Sequence, residues 1–153
     1  MKFKQKGFTL IELIIVIAII ALLAAATFVA VNPAKRIGDA NNAQRWSDIS
    51  AIADAWGLYV ADNTGSTVTT VTNGVTYAVA TTTKAHTDTC GATTTTAIVD
   101  MSGLVSGGYI GQIPSDPSTA SSNTEYYFYT DSTGAIKVGA CDTYNSATIN
   151  VVR

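Results

Sequence analysis

The chain has 153 residues, enough for one domain of ordinary size and a long helix besides. Its formal net charge is −2 and only 13% of its residues are charged, so it offers no basic stripe that would hold a nucleic acid by bulk charge. Thr, Ser, Asn and Ala take the places that charges fill on a free-standing domain, and such a surface suits a chain packed against copies of itself.

The chain opens with a short basic stretch, residues 1–7, carrying Lys2, Lys4 and Lys6. Without those lysines the formal net charge moves from −2 to −5. By the positive-inside rule they stay cytoplasmic, and the chain beyond the apolar segment is exported. Leu13 to Val31 carries no charge and is long enough for a membrane-spanning helix, which needs about 20 residues. Glu12 stands at the head of this run, where a carboxylate costs on the order of 3 kcal/mol at the bilayer centre and therefore calls for a partner. A cut between Gly7 and Phe8 would create an ammonium at Phe8, one helical turn from Glu12, and pairing would offset much of the cost of both charges.

The string Gly7-Phe8-Thr9-Leu10-Ile11-Glu12, set after a short basic leader, resembles the processing site of type IV prepilins and pseudopilins. The resemblance implies that a prepilin peptidase cuts after Gly7 and methylates the new amine of Phe8. It implies that Glu12 neutralises the Phe8 amine of a neighbouring subunit and so selects register in a filament. The implied partners are other copies of the chain in a helical filament, the peptidase, an inner-membrane assembly platform with its ATPase, and the membrane before assembly. The implied locations are the cytoplasmic membrane for the precursor and the cell surface for the filament. Major pilins, minor pilins, secretion pseudopilins and competence pilins share this terminus, so adhesion, motility, secretion and DNA uptake are not separated by it. Plainer readings are a secretory signal peptide cut near Ala24-Ala25-Ala26, and a single-pass anchor holding a monomeric extracytoplasmic binding domain. Glu12 and the length of the run argue against the first, and the second leaves the six-residue string unexplained.

The expected organisation is a leader at 1–7, an apolar helix at 8–31, an amphipathic helix at 32–63 and a β-rich head at 64–153. One helix over the two middle parts would measure about 84 Å at 1.5 Å per residue. Pro33 interrupts it, either as a kink or as the first position of a restarted helix capped by Asn32. Gly38 is a second expected weak point. Beyond it Trp46, Ile49, Ile52, Ala53, Trp56, Tyr59 and Val60 recur at spacings of three and four and predict a core-facing stripe, with Asp48, Asp54 and Asp62 turned away. Lys35, Arg36 and Arg45 read as a solvated face.

In the head, Thr67–Val71 and Val75–Val79 alternate and predict a hairpin about Asn73-Gly74. Residues 81–96 read as a Thr-rich loop, and 96–105 as a short helix stopped by Gly107-Gly108. The segment Tyr109 to Pro117 resembles a turn-rich connection of pilins, in which Asp116 can bind local backbone amides. Tyr126–Thr130, Ala135–Ala140 and Ala147–Val152 read as strands. The fold class expected is α+β, the pilin fold, with a long N-terminal helix packed on an antiparallel sheet.

Cys90 and Cys141 form an even pair in a domain expected to be exported, which points to a disulfide. It would close a loop of about 50 residues, worth about 3–4 kcal/mol in the chain-entropy model; two free thiols are the alternative. No catalytic constellation is present in the sequence: His86 is the sole histidine, and there is no P-loop, dinucleotide fingerprint or metal-spaced cluster. No enzyme activity and no cofactor is expected. Asp88, Asp100, Asp116, Asp131 and Asp142 are oxygen donors of the kind calcium takes, yet the acidic, glycine-rich loop of calcium-binding pseudopilins is missing.

Overall fold

The computed structural model describes residues 7–81, 97–118 and 124–153, and the backbone alone at 89–90 and 93–94. The chain falls into two units, divided between Ile37 and Gly38.

In the first unit, helix α1 spans Leu10–Val31 and buries none of its residues within the chain. Asn32 ends it by entering the left-handed region at φ 44°, which asparagine tolerates better than most residues. Pro33, which has no N–H to lose, then opens α2, Pro33–Asp62. The Asn32 side-chain oxygen accepts a hydrogen bond from the Lys35 amide at 3.3 Å. The break between the helices is thus a restart one residue wide.

Gly38 is not a second break, because α2 runs through it. Its lack of a side chain serves packing instead: a Cβ there would run into the ring of Tyr144. The backbone of Tyr144 is held by one asparagine a turn further on. Asn42 donates from Nδ2 to the Tyr144 carbonyl at 3.1 Å and accepts from the Tyr144 amide at 3.0 Å.

The rest of the second unit is a sheet packed on α2. Its elements are β1 (Thr76–Ala80), β2 (Thr89–Cys90), β3 (Thr93–Thr94), β4 (Ala97–Asp100), the short helix α3 (Ser102–Ser106), β5 (Tyr126–Thr130), β6 (Ile136–Ala140) and β7 (Asn150–Val152). Five strands lie in the order β4-β1-β5-β6-β7, while β2 and β3 pair separately. The arrangement is α+β and pilin-like, but the sheet is mixed: β1 pairs with β5 antiparallel and with β4 parallel. Parallel neighbours need a crossover of a dozen or more residues, which the stretch 81–96 supplies.

Two expectations fail at this point. Thr67–Val71 is not a strand, because β1 takes β5 as its antiparallel partner. Val68 and Val71 lie partly buried against the core, and the Thr72 amide donates to the Tyr77 hydroxyl at 2.8 Å. The Asn73-Gly74 turn does form, with Gly74 at φ 81°, but the Gly74 amide is anchored to the Thr130 carbonyl of β5 at 2.7 Å. The helix expected over 96–105 is half strand: Ala97–Asp100 extends beside β1, and only Ser102–Ser106 is helical, ending at Gly107 and at Gly108 with φ 78°.

One cross-strand row shows how the core is built. Ala97, Tyr77, Phe128, Val138 and Val151 face one another across all five strands. Trp56 of α2 sits on Phe128 with ring centroids 4.5 Å apart. Ile49, Ile52 and Ala53 line the same helix face. Burying each large apolar side chain contributes about 1.5–3 kcal/mol. Trp46, expected in the core, is 45% exposed. The buried stripe runs through 45, 49, 52 and 56, and Trp46 stands about 100° off it.

The same stripe carries charge inward. Arg45, expected to be solvated, is 2% exposed and holds Asp116 in a two-pronged ion pair. Its Nε donates to Oδ2 at 2.5 Å and its Nη2 to Oδ1 at 2.8 Å. Ser118 Oγ and Asn42 Oδ1 accept two further guanidinium protons, each at 2.8 Å. Asp48, expected to point away, is also buried, and accepts from the Tyr126 hydroxyl at 2.7 Å and from Gln44 at 2.8 Å. Burial and the bond to Asp48 both push the Tyr126 hydroxyl well above its ordinary pKa.

Burial alone would raise the Asp116 carboxyl, but hydrogen bonds from Arg45 and Ser118 outweigh it and hold the group below the usual range. The unfolded value is about 3.9. The contribution of the pair is therefore complete above about pH 4 and is lost as pH falls through the lower, folded value. Asp116→Asn leaves Arg45 buried opposite a neutral amide and is expected to cost about 3–5 kcal/mol at pH 7 and to flatten the acid limb of the stability curve. Urea unfolding of the full chain in detergent, followed by tryptophan fluorescence between pH 3 and 7, checks this; a loss under about 1 kcal/mol would contradict it.

Candidate processing and assembly site

The sequence places the chemistry at the start of α1, where the described chain is extended before it is helical. Gly7 and Phe8 lie outside the helix, and Phe8 is 90% exposed. Among the described residues a Cβ at Gly7 would meet nothing within 4 Å, so their packing does not call for glycine there. The helix begins at Leu10, two residues later than expected, because Thr9 takes the N-cap with φ −85° and ψ 151°.

Thr9 and Glu12 form a reciprocal cap. The Glu12 amide donates to Thr9 Oγ1 at 3.3 Å, and Glu12 Oε2 accepts from both the amide and the hydroxyl of Thr9, each at 2.8 Å. This capping box satisfies helix-end amides that have no partner within the helix. The resemblance implies an amine on another copy as the partner of Glu12, and the structure shows Thr9 as a partner within the chain. The Thr-x-x-Glu spacing is the signal that carries this second role. In lipid, where no water is present to accept those protons, the cap has particular value. Glu12 thus enters the helix with one carboxylate oxygen held by its own chain.

Beyond Glu12, α1 presents apolar side chains all round, and Leu10, Ile14, Ile17, Leu22 and Phe28 are all exposed. Its 22 residues span about 33 Å, close to a hydrocarbon core of about 30 Å. By length and composition it is able to cross a membrane.

The other singled-out residues are not part of this site. Pro33 starts α2, and Gly38 accommodates Tyr144. Cys141 follows β6, and its amide donates to the Glu125 carbonyl at 3.0 Å; among the described residues no cysteine is free. The Cys90 side chain, His86 and Asp88 lie outside the described residues. Among the described residues no three His, Cys, Asp or Glu are grouped to hold a metal. Asp116 is engaged by Arg45, and Asp131 accepts from Thr133 and from the Ala135 amide. Those bonds, led by the Thr133 hydroxyl, hold the exposed Asp131 carboxyl below its ordinary range.

Residues 2–28 match the family described as the prokaryotic N-terminal methylation motif. The chain therefore carries the class III signal peptide of type IV pilins and pseudopilins, a motif that in general directs prepilin-peptidase processing and filament assembly. No curated protein and no solved structure matches the chain.

Thr9→Val keeps the size of the side chain and removes the hydroxyl from the cap. It is expected to loosen the first turn of α1 by about 1 kcal/mol, read as about fivefold faster amide exchange over residues 10–13 in lipid nanodiscs. Unchanged exchange would show that the cap does not hold the helix end.

Proposed function

We propose that this chain is the structural subunit of a type IV pilus filament, without enzymatic activity of its own. The observation that carries the reading is one piece of sequence with two properties. The methylation motif covers residues 2–28, and the helix that overlaps it, Leu10–Val31, buries none of its side chains in the chain. The peptidase frees and methylates Phe8. The precursor waits in the cytoplasmic membrane with its head outward, and an assembly platform driven by an ATPase moves subunits into a filament at the cell surface. There the helices bundle, replacing contact with lipid by contact with other copies. The half of Glu12 not held by Thr9 accepts the Phe8 amine of a neighbour, which sets register. Oxidation of Cys90 with Cys141 ties the Thr-rich stretch to the end of β6. The methyl donor belongs to the peptidase and the ATP to the assembly ATPase, and the chain itself needs no cofactor of its own.

Two variants test this reading in the native host. Gly7→Leu is expected to leave an uncleaved precursor in the membrane, seen as retained leader mass. Glu12→Leu is expected to be processed but to abolish or misregister filaments, seen by electron microscopy of sheared fibres, with the head still folded. Normal maturation of the first or abundant regular fibres from the second would refute the corresponding step.

A further inference from the structure

Side chains alternate across β5, so Tyr126 and Phe128 enter the core while Tyr127 and Tyr129 stand on the opposite face of the sheet. That face carries a groove of about 590 Å³, within the range of small-molecule sites. Thr76, Tyr129 and Lys137 stand abreast on β1, β5 and β6 and line it. In the next row Tyr127 leans over Gly139, where a Cβ would strike its ring. The Lys137 ammonium lies 6.0 Å from the centroid of that ring. Asp142 and Thr148, from the segment after β6, also line the groove.

An aromatic ring covering a strand glycine is a known stabilising device and accounts for Tyr127. It does not account for Tyr129, which is only partly buried, or for Lys137, which makes no ion pair among the described residues. We propose that this groove binds an acidic saccharide. The apolar face of one pyranose ring lies on Tyr129, its carboxylate meets the Lys137 ammonium, and its hydroxyls bond to Thr76 and Asp142. A tyrosine offers a sugar an apolar face and a polar edge together. Lysine supplies a point charge that no described carboxylate neutralises. The carboxylate of Asp142 is a hydrogen-bond acceptor for sugar hydroxyls. With a single cation lining the groove among the described residues, a nucleic acid, whose affinity grows with the number of phosphates neutralised, fits less well.

Saturation-transfer NMR on the full chain in detergent micelles tests this without requiring assembly, so its result is independent of the filament reading. The probes are tetragalacturonate, neutral maltotetraose and a short oligodeoxythymidine. Transfer to tetragalacturonate is expected, with roughly fivefold weaker binding for Lys137→Gln, for Tyr129→Ala and for maltotetraose. Lys137→Gln changes a partly exposed residue and leaves the core intact, so its outcome does not turn on folding. No transfer to tetragalacturonate, binding unchanged in both variants, maltotetraose binding equal to tetragalacturonate, or tighter binding of the oligodeoxythymidine would each overturn the proposal.

Discussion

A helix of 22 residues that buries none of its own side chains sets the conditions for the rest of the molecule. In water each large apolar side chain on it forfeits about 1.5–3 kcal/mol, so α1 needs an apolar environment from outside the chain. Lipid is one such environment and other copies of α1 are another. The two are similar in polarity, so a small specific interaction can decide between them. Glu12 is the one ionisable side chain on α1, and the cap with Thr9 makes its carboxylate tolerable before any partner arrives.

The second unit meets a different demand, which is to hold a sheet on one face of α2. Apolar packing of Ile49, Ile52 and Trp56 supplies adhesion but little positional specificity. Polar contacts supply the position. Arg45 grips Asp116 with two bonds, and Asn42 takes both backbone groups of Tyr144, so one stretch of α2 fixes two separate loops. Arginine suits the first task because its planar fork matches a carboxylate in a way that lysine does not. The pair adds little stability over a well-packed apolar substitute, but breaking it from one side is costly.

Much of this is legible in the sequence because it depends on local pattern. The apolar run, the Asn32-Pro33 restart, the stripe through Ile49, Ile52 and Trp56, and strand β5 all come from periodicity and turn chemistry. The illegible parts depend on partners distant in sequence. Val75–Val79 reads as half of a hairpin, but the choice of β5 over Thr67–Val71 is made by packing against Phe128 and α2. The strand Ala97–Asp100 is short and apolar, a pattern shared by strands and buried helices, and a parallel partner leaves no turn signature. Arg45 and Asp48 look solvated in the sequence because charge reveals nothing of a buried counterpart at Asp116 or Tyr126. At the candidate processing site the motif is plain, while the role of Thr9 is hidden behind the more conspicuous carboxylate.

In the proposed function the chain is cut at Gly7–Phe8 and leaves the membrane as a polymer. Intact mass spectrometry of fibres sheared from native cells tests it most directly. The expected result is a species beginning at Phe8, heavier by one methyl group and lighter by the two hydrogens of a Cys90–Cys141 bond. A mature protein beginning near Thr27, or the absence of any such species from the fibres, would contradict it.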